Sequence, residues 1–385
     1  MTTLAIFTTT RAEFGLLSPL IDAVIDADDM DYLLFVGGGH FMKSQGDSLS
    51  EIVARGYEFI PFNYQLEEDS EEALSTSLSV ELSQLSQLFN EYSFDYTMVL
   101  GDRIELLPIV QAAIVYRKPI VHLHGGEVTM GAVDEQVRHM ITKSAHLHFC
   151  AAEEYKENIL KMGEEAWRVH NIGALGVDSI VRNKAISREE LFGNYNLDPS
   201  KPVGLMTYHP VTLEFELSIE EQINRLFEAL NQFTMQLIVT APNMDQGNHL
   251  LFERIQQEVD HNPGYRFIPT MGITRYQSML KYVAFVIGNS SSGILEAPFY
   301  KVPTINIGDR QKGRMRHRSI IDCDYSTMAI EIALRKSLDS KFLSSLVDME
   351  YKFGSGKSAQ QILEILGTLP PSQKLMQKKL DFAHA

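Results

Sequence analysis

The chain has 385 residues, a formal net charge of −16 at pH 7 and a mean hydropathy of −0.10. This length exceeds the roughly 250–300 residues at which a single hydrophobic core stops growing, so two domains are expected. The acidic balance argues against a nucleic-acid-binding protein, and no apolar run in the sequence approaches the roughly 20 residues that a membrane-spanning helix needs. The first residues lack the basic and apolar regions of a signal peptide, so we expect a cytoplasmic protein.

Strands and amphipathic helical patterns alternate along the chain, which is typical of parallel βαβ units. In the first half, strands are predicted at 4–8, 32–36, 96–100, 119–123, 147–151 and 169–172. The second half restarts the alternation, with strands at 203–208, 236–240, 266–268, 284–287 and 304–307. The pattern predicts two doubly wound, Rossmann-like α/β domains at 1–180 and 181–369, followed by a polar tail at 370–385.

Polar side chains gather where the predicted strands end, in the loops that contain Arg11, Asp102, His124, His209, Asn243 and Ser290. In doubly wound sheets, ligands bind beyond the carboxyl ends of the strands. These loops are therefore expected to form the functional site, which would lie in a cleft between the two domains.

A loop rich in Gly, Asn and Ser at 288–293 joins a predicted strand to a helical pattern that begins at Ile294. Backbone N–H groups at such a helix start favour phosphate, and an ordinary serine-rich helix cap is the alternative. Glu296, further into the pattern, has a carboxylate that can accept hydrogen bonds from ribose hydroxyls. A basic segment at 310–318, beginning with Arg310, favours a small polyanionic ligand over a solvated loop in so acidic a chain.

Titratable groups in the first half suit proton transfer. Asp102 directly follows a strand and is a candidate acid or base, with a salt-bridged helix start as the alternative. Asp134 and Arg138 have i, i+4 spacing, which also fits a simple helix-stabilising pair. The sequence contains no zinc or iron ligand spacing, no GxGxxG fingerprint and no nucleophile-elbow serine. We therefore expect no metal and no redox cofactor, and acyl transfer is disfavoured.

Several motifs, which occur in the expected order, resemble the signatures of one family. They stand at 10–14, 101–103, 122–127, 134–139, 209–212, 242–245, 288–293 and 308–311. The chain thereby resembles the hydrolysing UDP-N-acetylglucosamine 2-epimerases, both the bacterial sialic-acid-pathway type and the epimerase domain of the animal bifunctional epimerase/kinase. The resemblance runs from about residue 4 to residue 365.

This resemblance implies a glycosyltransferase-B-like pair of Rossmann-like domains that binds a nucleotide sugar and needs no cofactor. It implies anti elimination of UDP from UDP-N-acetylglucosamine to a 2-acetamidoglycal, and then hydration to N-acetylmannosamine for sialic acid biosynthesis. Such chemistry requires groups that move protons, and cations or dipoles that stabilise the departing diphosphate. On the same ground we expect a homo-oligomer, either a dimer or a tetramer.

Site residues can be carried over by motif. Asp102 and Asp134 resemble the acid/base carboxylates of the family, with Arg103 and Arg138 placed to orient or neutralise them. His124 stands where many members have Glu; an imidazole can still transfer protons, and the step it serves is open. The residues that resemble nucleotide contacts are Arg11, His209, Ser290, Ser291, Glu296 and Arg310, with Asn243 by the uracil or ribose.

Three other functions stay open. The first is the same reaction on a GDP- or UDP-linked 2,4-diacetamido-2,4,6-trideoxyglucose, for legionaminic acid. The motifs do not separate the two substrates, because they concern phosphate, ribose and the C1–C2 bond. A glycosyltransferase on the same architecture is the second, and it would need an acceptor site. The third is a non-catalytic nucleotide-sugar sensor, which would have no use for Asp102, His124 and Asp134 together.

Overall fold

Two parallel sheets organise the residues that the structure describes. The computed structural model describes residues 1–41, 48–62, 70–129, 133–209, 217–241, 248–269, 271–369 and 372–383. A first unit comprises Met1–Glu127, Val133–Arg182 and Phe353–Ala385, and a second unit comprises Val128–Ala132 and Asn183–Lys352. The predicted pair of doubly wound α/β folds is confirmed. Within these ranges, no helix has the length and apolar composition needed to cross a membrane.

The described elements alternate as the sequence pattern predicts. The strands are β1 Thr2–Thr8, β2 Met30–Val36, β3 Ile60–Pro61, β4 Tyr96–Leu100, β5 Ile120–Leu123, β6 Leu147–Cys150, β7 Val169–Asn171, β8 Val203–Thr207, β9 Gln236–Val239, β10 Tyr265–Phe267, β11 Phe285–Gly288, β12 Thr304–Ile307 and β13 Ile320–Cys323. The α-helices are α1 Arg11–Ile25, α2 Ser48–Ala54, α3 Glu71–Glu91, α4 Leu106–Val115, α5 Val133–Ser144, α6 Glu153–Lys161, α7 Leu175–Arg182, α8 Arg188–Asn194, α9 Ile219–Leu230, α10 Asn248–His261, α11 Gly272–Leu280, α12 Ser292–Leu295, α13 Thr327–Ser337, α14 Ser340–Ser345, α15 Ser358–Gly367 and α16 Ser372–Met376. Short 3-10 helices are described at Gly38–Phe41, Ala166–Arg168 and Ala297–Tyr300.

Alternating side chains of β1 explain why both faces of the first sheet are covered. Leu4 and Ile6 pack in one hydrophobic core, and Ala5 and Phe7 pack in another. Since successive residues of a strand point to opposite faces, a continuous apolar run is what a parallel strand buried on both faces requires. The second unit likewise has two separate hydrophobic cores.

Each sheet reverses its strand order at one point. The first sheet has the order β3-β2-β1-β4-β5-β6-β7, and the second has the order β10-β9-β8-β11-β12-β13. In the first sheet, the strands after β1 are added towards one edge, and those from β4 onwards are added towards the other edge. In the second sheet, β8 and β11 are the corresponding strands. Because β1 neighbours β4 and β8 neighbours β11, the loops after these strands lie side by side within each unit. Ligands bind at such switch points in doubly wound sheets.

The C-terminal segment Phe353–Ala385 belongs to the first unit. The sequence pattern instead predicts a second domain that extends to residue 369, followed by a tail at 370–385. Helix α15 buries Ala359, Ile362 and Leu366 in the same core as α1. Both carboxylate oxygens of Asp178, in α7, accept hydrogen bonds from N–H groups in the first turn of α15, at 3.0 and 2.9 Å. Arg168 donates to two backbone carbonyls of the final segment. An apolar period predicts that a helix packs on a sheet, but not on which sheet.

Candidate active site

Arg138 connects three polar segments of the first unit. It lies on α5 with 1% of its side chain exposed, and it pairs with Asp102, after β4, and with Glu135, at 2.6 Å on the same helix. The guanidinium also donates to the backbone carbonyl of Glu127, after β5, at 2.8 Å. Such partners are required because a buried charge without them is strongly destabilising. The structure therefore brings the predicted residues Asp102 and Arg138 together.

Three other site residues predicted for this unit are Asp134 on α5, Arg103 directly after Asp102, and Arg11 at the start of α1. Asp134 is half-buried in the first turn of α5, one helical turn before Arg138. Arg103 is more accessible, with 42% of its side chain exposed and its guanidinium 3.5 Å from the carboxylate of Glu105. Arg11 is the first residue of α1, and its side chain lies outside the described part of the structure. The catalytic roles of Asp134 and Arg103, and the nucleotide contact of Arg11, stay predictions.

His124 follows β5 in a left-handed backbone conformation, with φ at 61°. Its Nδ1 lies 2.9 Å from Oε1 of Glu127, and its Nε2 accepts a hydrogen bond from the backbone N–H of Leu175 at 3.4 Å. Left-handed φ is uncommon for residues other than glycine. Gly126 continues the turn at φ 78°, where a Cβ would come within 2.1 Å of the Tyr155 carbonyl oxygen. The loop thus holds the imidazole in one orientation.

His122 supports the loop that carries Asp102. Its Nε2 lies 2.8 Å from the carbonyl oxygen of Gly101, and its Nδ1 lies 3.3 Å from the hydroxyl of Thr142 on α5. Burial lowers the pKa of His122 to about 3, so the ring is neutral, with one nitrogen donating and the other accepting. The sequence pattern does not indicate a role for His122 or for Glu127. A signal for His122 is its position inside an apolar strand, where a buried polar group needs partners.

In the second unit, Asn289 joins the loops after β8 and β11. Its buried side chain accepts a hydrogen bond from the backbone N–H of His209 at 2.7 Å and donates to the carbonyl of His209 at 2.8 Å. Gly288, before it, has φ 133°, and a Cβ there would lie 2.0 Å from the carbonyl oxygen of Thr207. Only glycine fits this position. The predicted residues His209 and Ser290 are therefore held on adjacent loops.

Arg310 and Gln311 converge on the same loop. Nη1 of Arg310 and the side-chain amide of Gln311 both donate to the carbonyl oxygen of Asn289, at 3.0 and 2.8 Å. Burial, and to a lesser extent the charge of Arg310, lowers the pKa of His209 to about 3, so this ring is neutral. The two loops and Arg310 thus form one cationic, hydrogen-bonded corner.

The positive charge in the remainder of the basic segment at 310–318 is less concentrated than the sequence suggests. Three of its cations form ion pairs with carboxylates of the same unit: Lys312 with Asp309 at 3.0 Å, Arg316 with Asp322 at 3.0 Å and Arg318 with Asp348 at 3.1 Å. Exposed pairs of this kind contribute little to stability. The guanidinium of Arg310, in this segment, contacts the loop after β11.

The Gly-, Asn- and Ser-rich loop at 288–293 leads into a shorter helix than the sequence predicts. Helix α12 has four residues, and a 3-10 helix with proline near its start follows it. Pro298 has no N–H with which to continue an α-helical hydrogen-bond ladder. Ser290 accepts a hydrogen bond from the N–H of Ser292 at 3.4 Å, and Ser291 makes no side-chain cap. The corner therefore offers hydroxyl and N–H groups rather than the dipole of a long helix.

Glu296 lies at the end of α12 among polar side chains. Its Oε1 accepts a hydrogen bond from the amide of Gln277 at 3.3 Å. Burial raises the pKa of the Glu296 carboxyl, although hydrogen bonds from Ser292 and Gln277 oppose that shift. Its predicted contact with ribose stays a prediction. Asn243, the other predicted nucleoside contact, lies outside the described residues.

The two units offer different chemistry at their strand ends. The first gathers carboxylates, an imidazole and a buried guanidinium, which can exchange protons and stabilise negative charge. The second presents a guanidinium with hydroxyl and N–H donors, which suit an anion. In the ranges that the structure describes, no group of three or more His, Cys, Asp or Glu side chains is arranged to hold a metal ion.

The fold and these loops define a class of protein with two Rossmann-like units that carry polar loops at the switch points of parallel sheets. A solved structure of this fold is that of the UDP-GlcNAc 2-epimerase from Neisseria meningitidis bound to UDP-GlcNAc. Its TM-score is 0.82 at 15% sequence identity, with 96% of this chain and 100% of that chain covered. The family model described as UDP-N-acetylglucosamine 2-epimerase matches residues 23–367. The chain belongs to the UDP-N-acetylglucosamine 2-epimerase family.

Two relatives illustrate the range of substrates in this family. The UDP-N,N'-diacetylbacillosamine 2-epimerase (hydrolyzing) of Legionella pneumophila is 33% identical over 374 residues, which is 96% of this chain and 97% of that protein. The UDP-N-acetylglucosamine 2-epimerase of Neisseria meningitidis serogroup B is 33% identical over 333 residues, which is 86% of each protein. The resemblance carried by the motifs is confirmed, and the names of the relatives differ in their sugar.

Proposed function

We propose that this protein is a hydrolysing 2-epimerase that converts UDP-N-acetylglucosamine to N-acetylmannosamine and UDP. The observation that carries the proposal is the set of contacts that Arg138 makes in this chain, which belongs to the 2-epimerase family. Arg138 joins Asp102, after β4, to the loop after β5, which carries His124. This network supports a site in which a carboxylate and an imidazole are held on neighbouring strand ends.

In this proposal the first unit carries out the proton transfers. The C2 proton of the sugar is too weakly acidic for simple removal and return, so its removal is coupled to departure of UDP. The elimination yields UDP and a 2-acetamidoglycal; water then adds at C1, and a proton arrives at C2 from the opposite face. Asp102, Asp134 and His124 are the proposed acid and base groups, and Arg138 orients Asp102. Arg103 is assigned to neutralise charge nearby.

The second unit binds the nucleotide in this proposal. Negative charge develops on the departing diphosphate, and donors that are already in position stabilise such charge without reorganising. Arg310 is the fork donor, and the hydroxyls of Ser290 and Ser291 are further donors. His209 and Arg11 are assigned to the diphosphate by motif, Glu296 to the ribose and Asn243 to the uracil or ribose.

A second candidate substrate is a GDP- or UDP-linked 2,4-diacetamido-2,4,6-trideoxyglucose. The name of the Legionella pneumophila relative supports it, because that protein is 33% identical along almost its whole length. The two sugars share the C1–C2 bond and the diphosphate, and they differ at C4 and C6. Action in the cytoplasm, and assembly into a homo-oligomer, are further parts of the proposal.

Product analysis tests both the reaction and the substrate. The purified protein is incubated separately with UDP-N-acetylglucosamine and with the UDP-linked diacetamido sugar, and nucleotides and free sugars are separated by chromatography. We expect UDP and the free 2-epimer of the accepted sugar to form in equal amounts. Accumulation of UDP-N-acetylmannosamine without free sugar would show a non-hydrolysing epimerase instead.

Variants test the assigned roles. Asp102→Asn and Asp134→Asn should each lower kcat by roughly 100-fold or more, because a positioned acid or base contributes about 10²–10⁴-fold. Their affinity for UDP, measured by calorimetry, should stay close to that of the wild type. Asp28→Asn, at an exposed position of the same unit, is the control and should leave both quantities unchanged. A loss of UDP affinity as large as the loss of rate would show that the carboxylates bind the nucleotide.

A further inference from the structure

The two neighbours of the His124 ring select one tautomer. A backbone N–H can only donate, so Nε2, which faces the N–H of Leu175 at 3.4 Å, must present a lone pair. The proton of the neutral ring is then on Nδ1, which lies 2.9 Å from a carboxylate oxygen of Glu127. Because an ionised carboxylate accepts, both contacts agree on the Nδ1–H form.

The backbone around the pair leaves the ring little freedom. The N–H of His124 donates to the carbonyl of Phe149 at 2.9 Å, and the carbonyl of Glu127 accepts from Arg138 at 2.8 Å. The side chains of His124 and Glu127 are 6% and 7% exposed. His124 also keeps a left-handed φ of 61°, a conformation that persists only where the surrounding structure imposes it. The carboxylate and the ring are thus fixed relative to each other.

We propose that Glu127 is a positioning residue for His124, one that fixes the Nδ1–H tautomer and leaves Nε2 as the ring atom that takes up a proton. The proposal rests on the proposed function, in which His124 is a proton-transfer group. The proton comes from C2 of the sugar or from the water that adds at C1. Nε2 has a single lone pair, so the hydrogen bond from Leu175 breaks before that atom takes up the proton.

Opposing effects act on the protonated ring. The carboxylate of Glu127 stabilises the positive charge through the Nδ1–H bond. The N–H of Leu175, which is the first residue of α7, loses its acceptor and lies at the positive end of a helix. Proton exchange with the substrate or with water requires a group that binds the proton only transiently.

Nuclear magnetic resonance of the 385-residue protein tests the tautomer without any substrate. Histidine labelled with ¹⁵N gives ring correlations for the 12 histidines, and a His124→Gln variant identifies those of His124. We expect the pattern of the Nδ1–H tautomer for the neutral ring. The pattern of the Nε2–H tautomer would overturn the proposal, whatever the activity of the protein.

Kinetics of Glu127→Gln test the positioning role. The amide keeps an acceptor oxygen but removes the negative charge, so kcat should fall by roughly 10- to 100-fold while KM stays within about threefold. Glu153→Gln removes an exposed carboxylate from the same unit and should leave both constants unchanged. An unchanged kcat in a folded Glu127→Gln protein would also overturn the proposal, and if that variant does not fold, the tautomer of the wild type decides. The Nδ1–H pattern in a protein without turnover would contradict the proposed function and retain Glu127 as the residue that fixes the tautomer.

Discussion

Glu81 allows a direct test of the packing in the first unit. It lies on α3 with no exposed surface, and within the described ranges neither carboxyl oxygen has a hydrogen-bond partner. Burial, with smaller contributions from the negative charges of Glu105 and Glu13, raises the pKa of Glu81 from 4.5 to about 9. The folded protein therefore keeps the Glu81 carboxyl protonated at neutral pH, whereas the unfolded chain ionises it.

This difference in proton binding lowers stability as the pH rises. At pH values below 4.5 both states carry the proton, and between 4.5 and about 9 only the unfolded state loses it. Each pH unit in that window favours the unfolded state by about 1.4 kcal/mol. Glu81→Gln keeps the shape of the side chain and cannot ionise. Its free energy of unfolding should exceed that of the wild type by about 3 kcal/mol at pH 7 and by less than about 1 kcal/mol at pH 5.

Urea unfolding followed by tryptophan fluorescence provides the assay. The chain has one tryptophan, Trp167, which stacks on Arg168 in the same unit as Glu81. Glu91→Gln, at the exposed end of α3, is the matched control and should stay within about 0.5 kcal/mol of the wild type at both pH values. Parallel pH profiles for Glu81→Gln and the wild type would refute the interpretation of Glu81 as a buried acid without partners.

Three further substitutions test the second unit and the C-terminal segment. Gly288→Ala brings a methyl group against the carbonyl of Thr207 and should destabilise the second unit by roughly 3 kcal/mol in calorimetric unfolding; an unchanged transition would contradict the contact. Asn289→Ala removes two hydrogen bonds to the backbone of His209 and should weaken UDP binding about tenfold by calorimetry, so an unchanged Kd would argue against a nucleotide site there. Arg168→Leu leaves two carbonyls of the C-terminal segment without their donor, so the free energy of unfolding in urea should fall by about 3 kcal/mol. As an independent check, the variant should resist carboxypeptidase less than the wild type does.

The sequence predicts most of the strands because a parallel strand buried on both faces is a continuous apolar run, as in β1. It misses β3, which has only two residues, and β13, whose short apolar run is interrupted by the exposed Asp322. It also assigns α15 to the wrong unit. The apolar face of α15 is visible in the sequence, but the contact of its first turn with Asp178 joins residues 180 positions apart.

The polar loops of the candidate site are predictable, whereas their pairing is not. Asp102 and Arg138 are 36 residues apart, and they pair because β4 and β5 are neighbours in the sheet. The contact of His124 with Leu175 spans 51 residues, so no local spacing indicates it. The charges at 310–318 show the opposite problem. Their sequence clustering suggests one cationic surface, and the fold distributes most of them among separate carboxylates.

Incorporation of deuterium at C2 of the sugar tests the proposed reaction most directly. The 385-residue protein is incubated with UDP-N-acetylglucosamine in deuterated water, and the reaction is followed by proton NMR. We expect release of UDP together with free N-acetylmannosamine that carries deuterium at C2, because the proton delivered there comes from groups that exchange with solvent. Release of UDP with the original C2 proton and configuration retained would contradict the elimination mechanism.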